Sequence, residues 1–177
     1  MAWIHVTGEE RAGGLLAEGY ERVRRALGRV IPYYRAYSVS PRLLHAHLDF
    51  YAAVGATGAL SKLRKEMIAT AVSADNGCQH CTQLHGGFLR KLGAEDALVR
   101  ALSTNPDAAP LEGADRVLIS YALKLTRKPR HMDQADVETL RGAGFSEEEV
   151  FEAAFVTAYF NYTNRVAEGL GVEPEPR

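Results

Sequence analysis

Cys78, Cys81 and His85 stand at offsets of zero, three and seven along the chain, a spacing that puts three side chains on one face of an α-helix. A Cys-x-x-Cys pair lets one sulfur attack while the other closes a disulfide, so residue type and interval together point to thiol–disulfide chemistry. The thiolate is the reactive form, and it is favoured by the N–H groups and positive dipole end of a helix N-terminus and by a neighbouring imidazolium. His85, one turn after Cys81, is placed to take up the thiol proton or to stabilise the thiolate. Phe88, Leu89 and Leu92 continue the same face, so thiols and imidazole lie at the edge of an apolar seam. Glu66 immediately precedes a charge-free run, residues 67–74 (MIATAVSA). A carboxylate held there is expected to be partly desolvated, which suits it to act as a base.

Other readings of these residues remain open at this level. Two cysteines can be small buried hydrophobes. Cys78, Cys81, His85 and either Glu66 or His80 could also bind zinc, although no second Cys-x-x-Cys is present to complete a four-sulfur site. His80, two positions after Cys78, points away from the shared face of an ideal helix, so a solvated or capping role competes with a functional one. Glu66 has Lys62, Arg64 and Lys65 as chain neighbours and can equally be a solvated charge. His45 and His47, two apart, cannot share a helix face as a metal pair, and His5 and His131 have no constellation around them. Tyr33, Tyr34, Tyr37, Phe50 and Tyr51, and again Phe151, Phe155, Tyr159, Phe160 and Tyr162, could line a pocket, but core packing or subunit contact is the default for aromatics.

The elements that must position these groups are helical. Periodicities of three and four dominate the chain and strand-like alternation is rare, so the fold class is all-α. With 177 residues, 46% of them hydrophobic and 24% charged, the chain is expected to form one domain over residues 1–177. A net charge of −1 gives no field to gather polyanions, and Arg22, Arg24, Arg25 and Arg29 read as a solvated helix face, so nucleic acid is not expected as a partner. Residues 1–8 lack the pattern of a secretory signal. No stretch approaches the roughly 20 apolar residues of a membrane span. The expectation is a cytoplasmic protein without a membrane partner, in which a close cysteine pair is catalytic, redox-active or metal-binding rather than a structural disulfide.

Local signals place helices over residues 9–27, 41–54, 62–74, 78–92, 95–102, 113–126, 133–141 and 147–168, with an irregular connection over 32–40. Ser40 before Pro41 reads as an N-cap with proline at the first helical position, Ser61 as a second cap, and Ser146 with Glu149 as a capping box. The helix over 62–74 is apolar on nearly every side in its last turns and is expected to cross the core. Asp75-Asn76-Gly77 is a turn signal, Gly93 reads as the residue after a helix C-cap, and the tail over 173–177, with two prolines, is expected to be loose.

The arrangement Glu66, eleven residues, Cys78-Gln79-His80-Cys81, three residues, His85 resembles the signature of AhpD-like alkylhydroperoxidases within the carboxymuconolactone decarboxylase superfamily, and every position of it is present. The likeness is clearest over residues 60–92. The ending FNYTNRVAEGLGV is similar to the close of the uncharacterised peroxidase-related members. The resemblance implies an AhpD-like helical domain with the Cys-x-x-Cys at the N-terminus of a core helix, and a proton relay of Glu66, Cys78, His80, Cys81 and His85 that activates a thiol toward hydroperoxides. It also implies homo-oligomers. The decarboxylase branch lacks the paired thiols, which argues against a lactone substrate.

The function expected is therefore a thiol-dependent peroxidase that reduces hydrogen peroxide or an organic hydroperoxide through a Cys78–Cys81 dithiol/disulfide cycle. No cofactor and no metal of its own is required, and an external dithiol returns the electrons. The alternative is a non-catalytic, zinc-bound or redox-sensing interaction protein. Two arguments compete over the attacking sulfur. Cys78 is nearer the helix N-terminus, an effect of about 0.3 to 1 kcal/mol when exposed, whereas Cys81 is one turn from His85, and proton transfer to a positioned base contributes on the order of a hundredfold or more in rate. The second effect is larger. Cys81 is the expected peroxidatic thiol and Cys78 the resolving one.

Overall fold

A computed structural model describes residues 2–56 and 58–174. Among the described residues the chain is helical, with no strand: α1 (Gly14–Leu27), α2 (Pro32–Ala36), α3 (Pro41–Gly55), α4 (Lys62–Asp75), α5 (Gln79–Lys91), α6 (Asp96–Thr104), α7 (Gly113–Arg127), α8 (Gln134–Gly142) and α9 (Glu147–Gly169), with short 3-10 turns between some of them. Residues 175–177 of the tail expected to be loose lie outside the described residues.

The helix starts that carry capping side chains follow the sequence closely. Ser61 Oγ accepts from the Arg64 N–H at 3.3 Å at the head of α4. At α9 the Ser146 hydroxyl accepts from the Glu149 N–H at 3.2 Å, and the Glu149 carboxylate accepts in return from the Ser146 N–H at 2.9 Å. Such a cap satisfies helix N–H groups that have no partner within the helix, and losing one costs about 1 kcal/mol. Ser40 does occupy the N-cap of α3 with Pro41 in the first turn, but its side chain makes no capping bond. Two stretches differ from expectation by more than a residue or two. The first α-helix begins at Gly14, because that glycine takes a left-handed φ of +51° and separates the 3-10 turn Glu9–Arg11 from α1. Residues 32–40, expected to be irregular, form α2 and the 3-10 turn Tyr37–Val39. Pro32 presets φ at the start of α2, and burial of Tyr33, Tyr34 and Tyr37 holds the turns in place.

The contacts of the chain group into two compact units, Met1–Ala56 with Val166–Arg177, and Thr57–Arg165. In the first, α1 packs on α3 where Gly19 meets Leu44; a Cβ at residue 19 would lie 2.5 Å from Leu44 Cδ2, so only glycine allows that approach without a shift. The Tyr20 hydroxyl donates to the Thr7 carbonyl at 2.7 Å, and the Trp3 N–H donates to the Leu170 carbonyl at 2.8 Å. Tyr33, Tyr34 and Tyr37 surround the His47 ring at centroid separations of 5.5, 5.8 and 5.0 Å. Burial pushes the His47 imidazole down to about 4 from its ordinary 6.5.

In the second unit α4 is the central element and packs against α5, α6 and α7. Every residue of α4 from Lys65 to Ser73 is buried, as the charge-free run implies. Burying a side chain such as Met67 or Ile68 stabilises the fold by roughly 1.5 to 3 kcal/mol before entropy is counted. Lys65 is accommodated by an ion pair, its Nζ lying 3.2 Å from Glu152 Oε2. The same carboxylate oxygen accepts the Leu60 N–H at 2.8 Å and so ties the approach to α4 to α9. Among the described residues no helix is long and apolar enough to cross a membrane.

Candidate active site

Between α4 and α5 the chain reverses through Asn76 and Gly77. Gly77 has φ +72°, a left-handed conformation that costs a residue with a Cβ about 1 to 2 kcal/mol, so the glycine of the turn signal is required by backbone geometry. The turn is closed by a bond from the Cys78 N–H to the Ser73 carbonyl at 2.9 Å. Cys78 is the N-cap of α5, with φ −77° and ψ 91°, rather than a residue of its first turn. Its carbonyl accepts twice from Thr82, from the N–H at 2.9 Å and from the hydroxyl at 2.8 Å. Cys81 follows within the first turn of α5, and His85 one turn further on.

All five residues singled out by the sequence lie in the Thr57–Arg165 unit and are buried. Cys78 is 0% exposed, Cys81 6%, His80 6%, His85 5% and Glu66 8%, so neither Glu66 nor His80 is a solvated surface group. The Glu66 carboxylate reaches across from α4 to α5: its Oε2 accepts from His85 Nδ1 at 2.7 Å, a short, charge-assisted geometry. With Nδ1–H donated there, a neutral imidazole carries its lone pair on Nε2. Helical side chains lean toward the preceding turn, and residues four apart have Cβ atoms about 5 to 6 Å apart, so His85 covers the turn that bears Cys81. The Cys81 thiol and the His85 imidazole are thus neighbours on one helix, and the Glu66 carboxylate holds the ring from α4.

Aromatic side chains complete the setting of the imidazole. Phe160 from α9 meets the His85 ring edge-to-face at 4.6 Å, and Phe88 meets it at 5.5 Å. Phe160 was open to a pocket or core role on sequence grounds; it packs on the His85 ring. A second group at the site is legible only in the structure, a chain of asparagines. Asn76 Nδ2 donates to Asn164 Oδ1 at 2.9 Å and to Asn161 Oδ1 at 3.2 Å, and Asn164 Nδ2 donates to Ser73 Oγ at 3.0 Å. The available signal was two asparagines three apart on a helix whose buried positions are otherwise apolar residues and threonines. Among the described residues no three or more His, Cys, Asp or Glu groups are gathered so as to hold a metal ion.

The carboxymuconolactone decarboxylase family matches residues 41–128. An alkyl hydroperoxide reductase of Mycobacterium tuberculosis is 31% identical over 106 residues, a match that takes in 60% of this chain and 31% of the length of the mycobacterial protein. The crystal structure of an uncharacterised peroxidase-related protein from Silicibacter is 33% identical, with 98% of this chain and 92% of that one covered and a TM-score of 0.88. That of a peroxidase-related protein from Ralstonia eutropha, described as an alkylhydroperoxidase AhpD core, is 26% identical over 98% of this chain and 92% of that one, with a TM-score of 0.89. A debrominase shares the fold at a TM-score of 0.81 over 96% of this chain and 90% of its own, with 19% identity.

Proposed function

The chain belongs to the carboxymuconolactone decarboxylase family and has the AhpD core fold, and on that premise we propose that it is a thiol-dependent peroxidase acting on hydrogen peroxide or an organic hydroperoxide. The observation that carries the reading is the buried Glu66–His85 hydrogen bond set one helical turn behind Cys81.

In the first step His85 Nε2 takes the proton of the Cys81 thiol, and Glu66 stabilises the imidazolium that results. The thiolate attacks the distal peroxide oxygen; the O–O bond breaks, two electrons pass from sulfur to oxygen, and the leaving alkoxide or hydroxide takes a proton back from His85. Cys81 is left as a sulfenic acid. In the second step the Cys78 sulfur attacks Cys81 Sγ, the S–S bond forms, the S–O bond breaks, and the oxygen leaves as water. An external dithiol then reduces the disulfide by exchange and becomes a disulfide itself. The positive dipole end of α5 favours thiolate at both sulfurs. His80, buried beside Cys81, is assigned a supporting place in the proton path on the strength of the family pattern alone.

The test is peroxide consumption by the purified protein with hydrogen peroxide or cumene hydroperoxide and dithiothreitol as the dithiol probe. Sustained turnover, with a Cys78–Cys81 disulfide seen by mass spectrometry when the dithiol is withheld, is the expected result. A single oxidation without turnover favours a redox sensor. If both thiols stay alkylatable after peroxide, the proposal is overturned.

A further inference from the structure

Asn76 and Asn164 touch neither the imidazole nor the carboxylate in any contact described above, yet they grip the segment that delivers Cys78. Asn76 stands two residues before Cys78, and its Nδ2 is held by Asn164 Oδ1 at 2.9 Å. Asn164 Nδ2 is held in turn by Ser73 Oγ at 3.0 Å, while the Ser73 carbonyl takes the Cys78 N–H at 2.9 Å. One side chain on α9, itself 1% exposed, therefore fastens the six-residue segment from Ser73 to Cys78 at two points, Ser73 and Asn76. The outer side is fastened as well, by Arg127 Nε on Asp75 Oδ1 at 2.7 Å. A buried amide thus spans a turn between two packed helices. What it adds is a fixed place for the backbone of Cys78 relative to the helix that bears Cys81.

We infer that Asn164, acting through Asn76 and Ser73, is a positioning residue for the Cys78 sulfur, and that it sets the rate and equilibrium of disulfide closure while leaving the first oxidation of Cys81 untouched. The inference deepens the peroxidase reading and rests on it for the order of steps. In the step concerned, Cys78 Sγ attacks Cys81 Sγ as the S–O bond of the sulfenic acid breaks, and the departing hydroxide is protonated to water. That attack needs the two sulfurs aligned, and displacement of a reacting group by about 1 Å can cost on the order of a hundredfold in rate. Oxidation of Cys81 depends on His85 and Glu66, to which the asparagines make none of these bonds.

The experiment compares wild type with Asn164→Ala and, because that site is fully buried, with Asn76→Ala at the half-buried turn position, each checked for folding by circular dichroism. Two quantities are read. The first is the lifetime of the sulfenate, trapped with a dimedone-type probe after a pulse of hydrogen peroxide. The second is the ratio of disulfide to dithiol at a fixed ratio of oxidised to reduced glutathione, which uses no peroxide. The expected result is closure slowed by about tenfold or more, and a disulfide ratio shifted by about tenfold toward the dithiol, with sulfenate formation within about twofold of wild type. Unchanged closure and unchanged ratio in the folded variants overturn the inference, as does an equal fall in formation and closure, which marks a general loosening. If wild type ignores peroxide but its glutathione ratio shifts in the variants, the peroxidase reading falls and the positioning role stands. If wild type forms no disulfide with either oxidant, both fall.

Discussion

His85 is held to Glu66 through its Nδ1, at 2.7 Å, which leaves Nε2 as the nitrogen able to accept the thiol proton. Glu66→Gln retains a neutral acceptor for that N–H but removes the charge that stabilises an imidazolium. It is expected to lower kcat/KM for hydroperoxide by about a hundredfold, with a small change in melting temperature. Stopped-flow peroxide kinetics and a thermal melt check this. A variant as fast as wild type would mean that the carboxylate only orients the ring.

The identity of the attacking sulfur is open to direct trapping. In Cys78→Ser, a dimedone-type probe is expected to label a sulfenate on Cys81, and His85→Ala is expected to slow that labelling at neutral pH. A fast-forming sulfenate on Cys78 in Cys81→Ser would reverse the assignment and move His85 to the resolving step.

Phe160 tests whether the imidazole must be clamped. Its ring lies edge-to-face on His85 at 4.6 Å and is buried. Phe160→Ala opens a cavity and is expected to cost about 3 to 5 kcal/mol of stability. Phe160→Leu is the informative change, because it keeps most of the volume and removes the flat edge. Slower Cys81 oxidation in a chain that melts near the wild-type temperature is the expected outcome, read by the same trapping assay.

A pH effect on stability is expected from His47, whose burial pushes it down to about 4. The unfolded chain takes up that proton near the ordinary value of 6.5, whereas the native state resists it until about 4, so protonation favours unfolding across this interval. The contribution is complete above the unfolded value and is lost as the pH falls from there toward 4. Its full size is roughly 3 kcal/mol. Urea unfolding at several pH values should show a slope over this window that flattens in His47→Gln. An identical slope in the variant would remove His47 as its source.

Assembly is the remaining expectation. Phe151, Phe155 and Tyr162 of α9 are 65%, 39% and 43% exposed, a line of aromatic surface of the kind that second copies cover. Light scattering is expected to report a homo-oligomer, and Phe151→Glu is expected to weaken it. A monomer at micromolar concentration in the wild type would remove the expectation.

Legibility followed the range of the interactions. The caps at Ser61 and at Ser146 with Glu149 join residues three apart, so their pattern could be read directly, as could the glycine at residue 77. Burial of α4 was visible in its missing charges. The meeting of Glu66 with His85, nineteen residues apart, was suggested by family spacing rather than by periodicity, which left Glu66 equally placed for solvent. Phe160 lies 75 residues beyond His85 and Asn164 88 beyond Asn76, and no local pattern links such pairs. Ser40 illustrates the converse: its cap signal was complete, but the backbone at that position leaves the side chain without the bond.

The dependence on α9 has a temporal side. The helix that carries Phe160 and Asn164 is the last of the site's elements to be synthesised. Until it docks, nothing packs on the His85 ring from that side and nothing secures the turn before Cys78. On the proposed mechanism, the paired thiols gain their activating surroundings only when this last helix has docked.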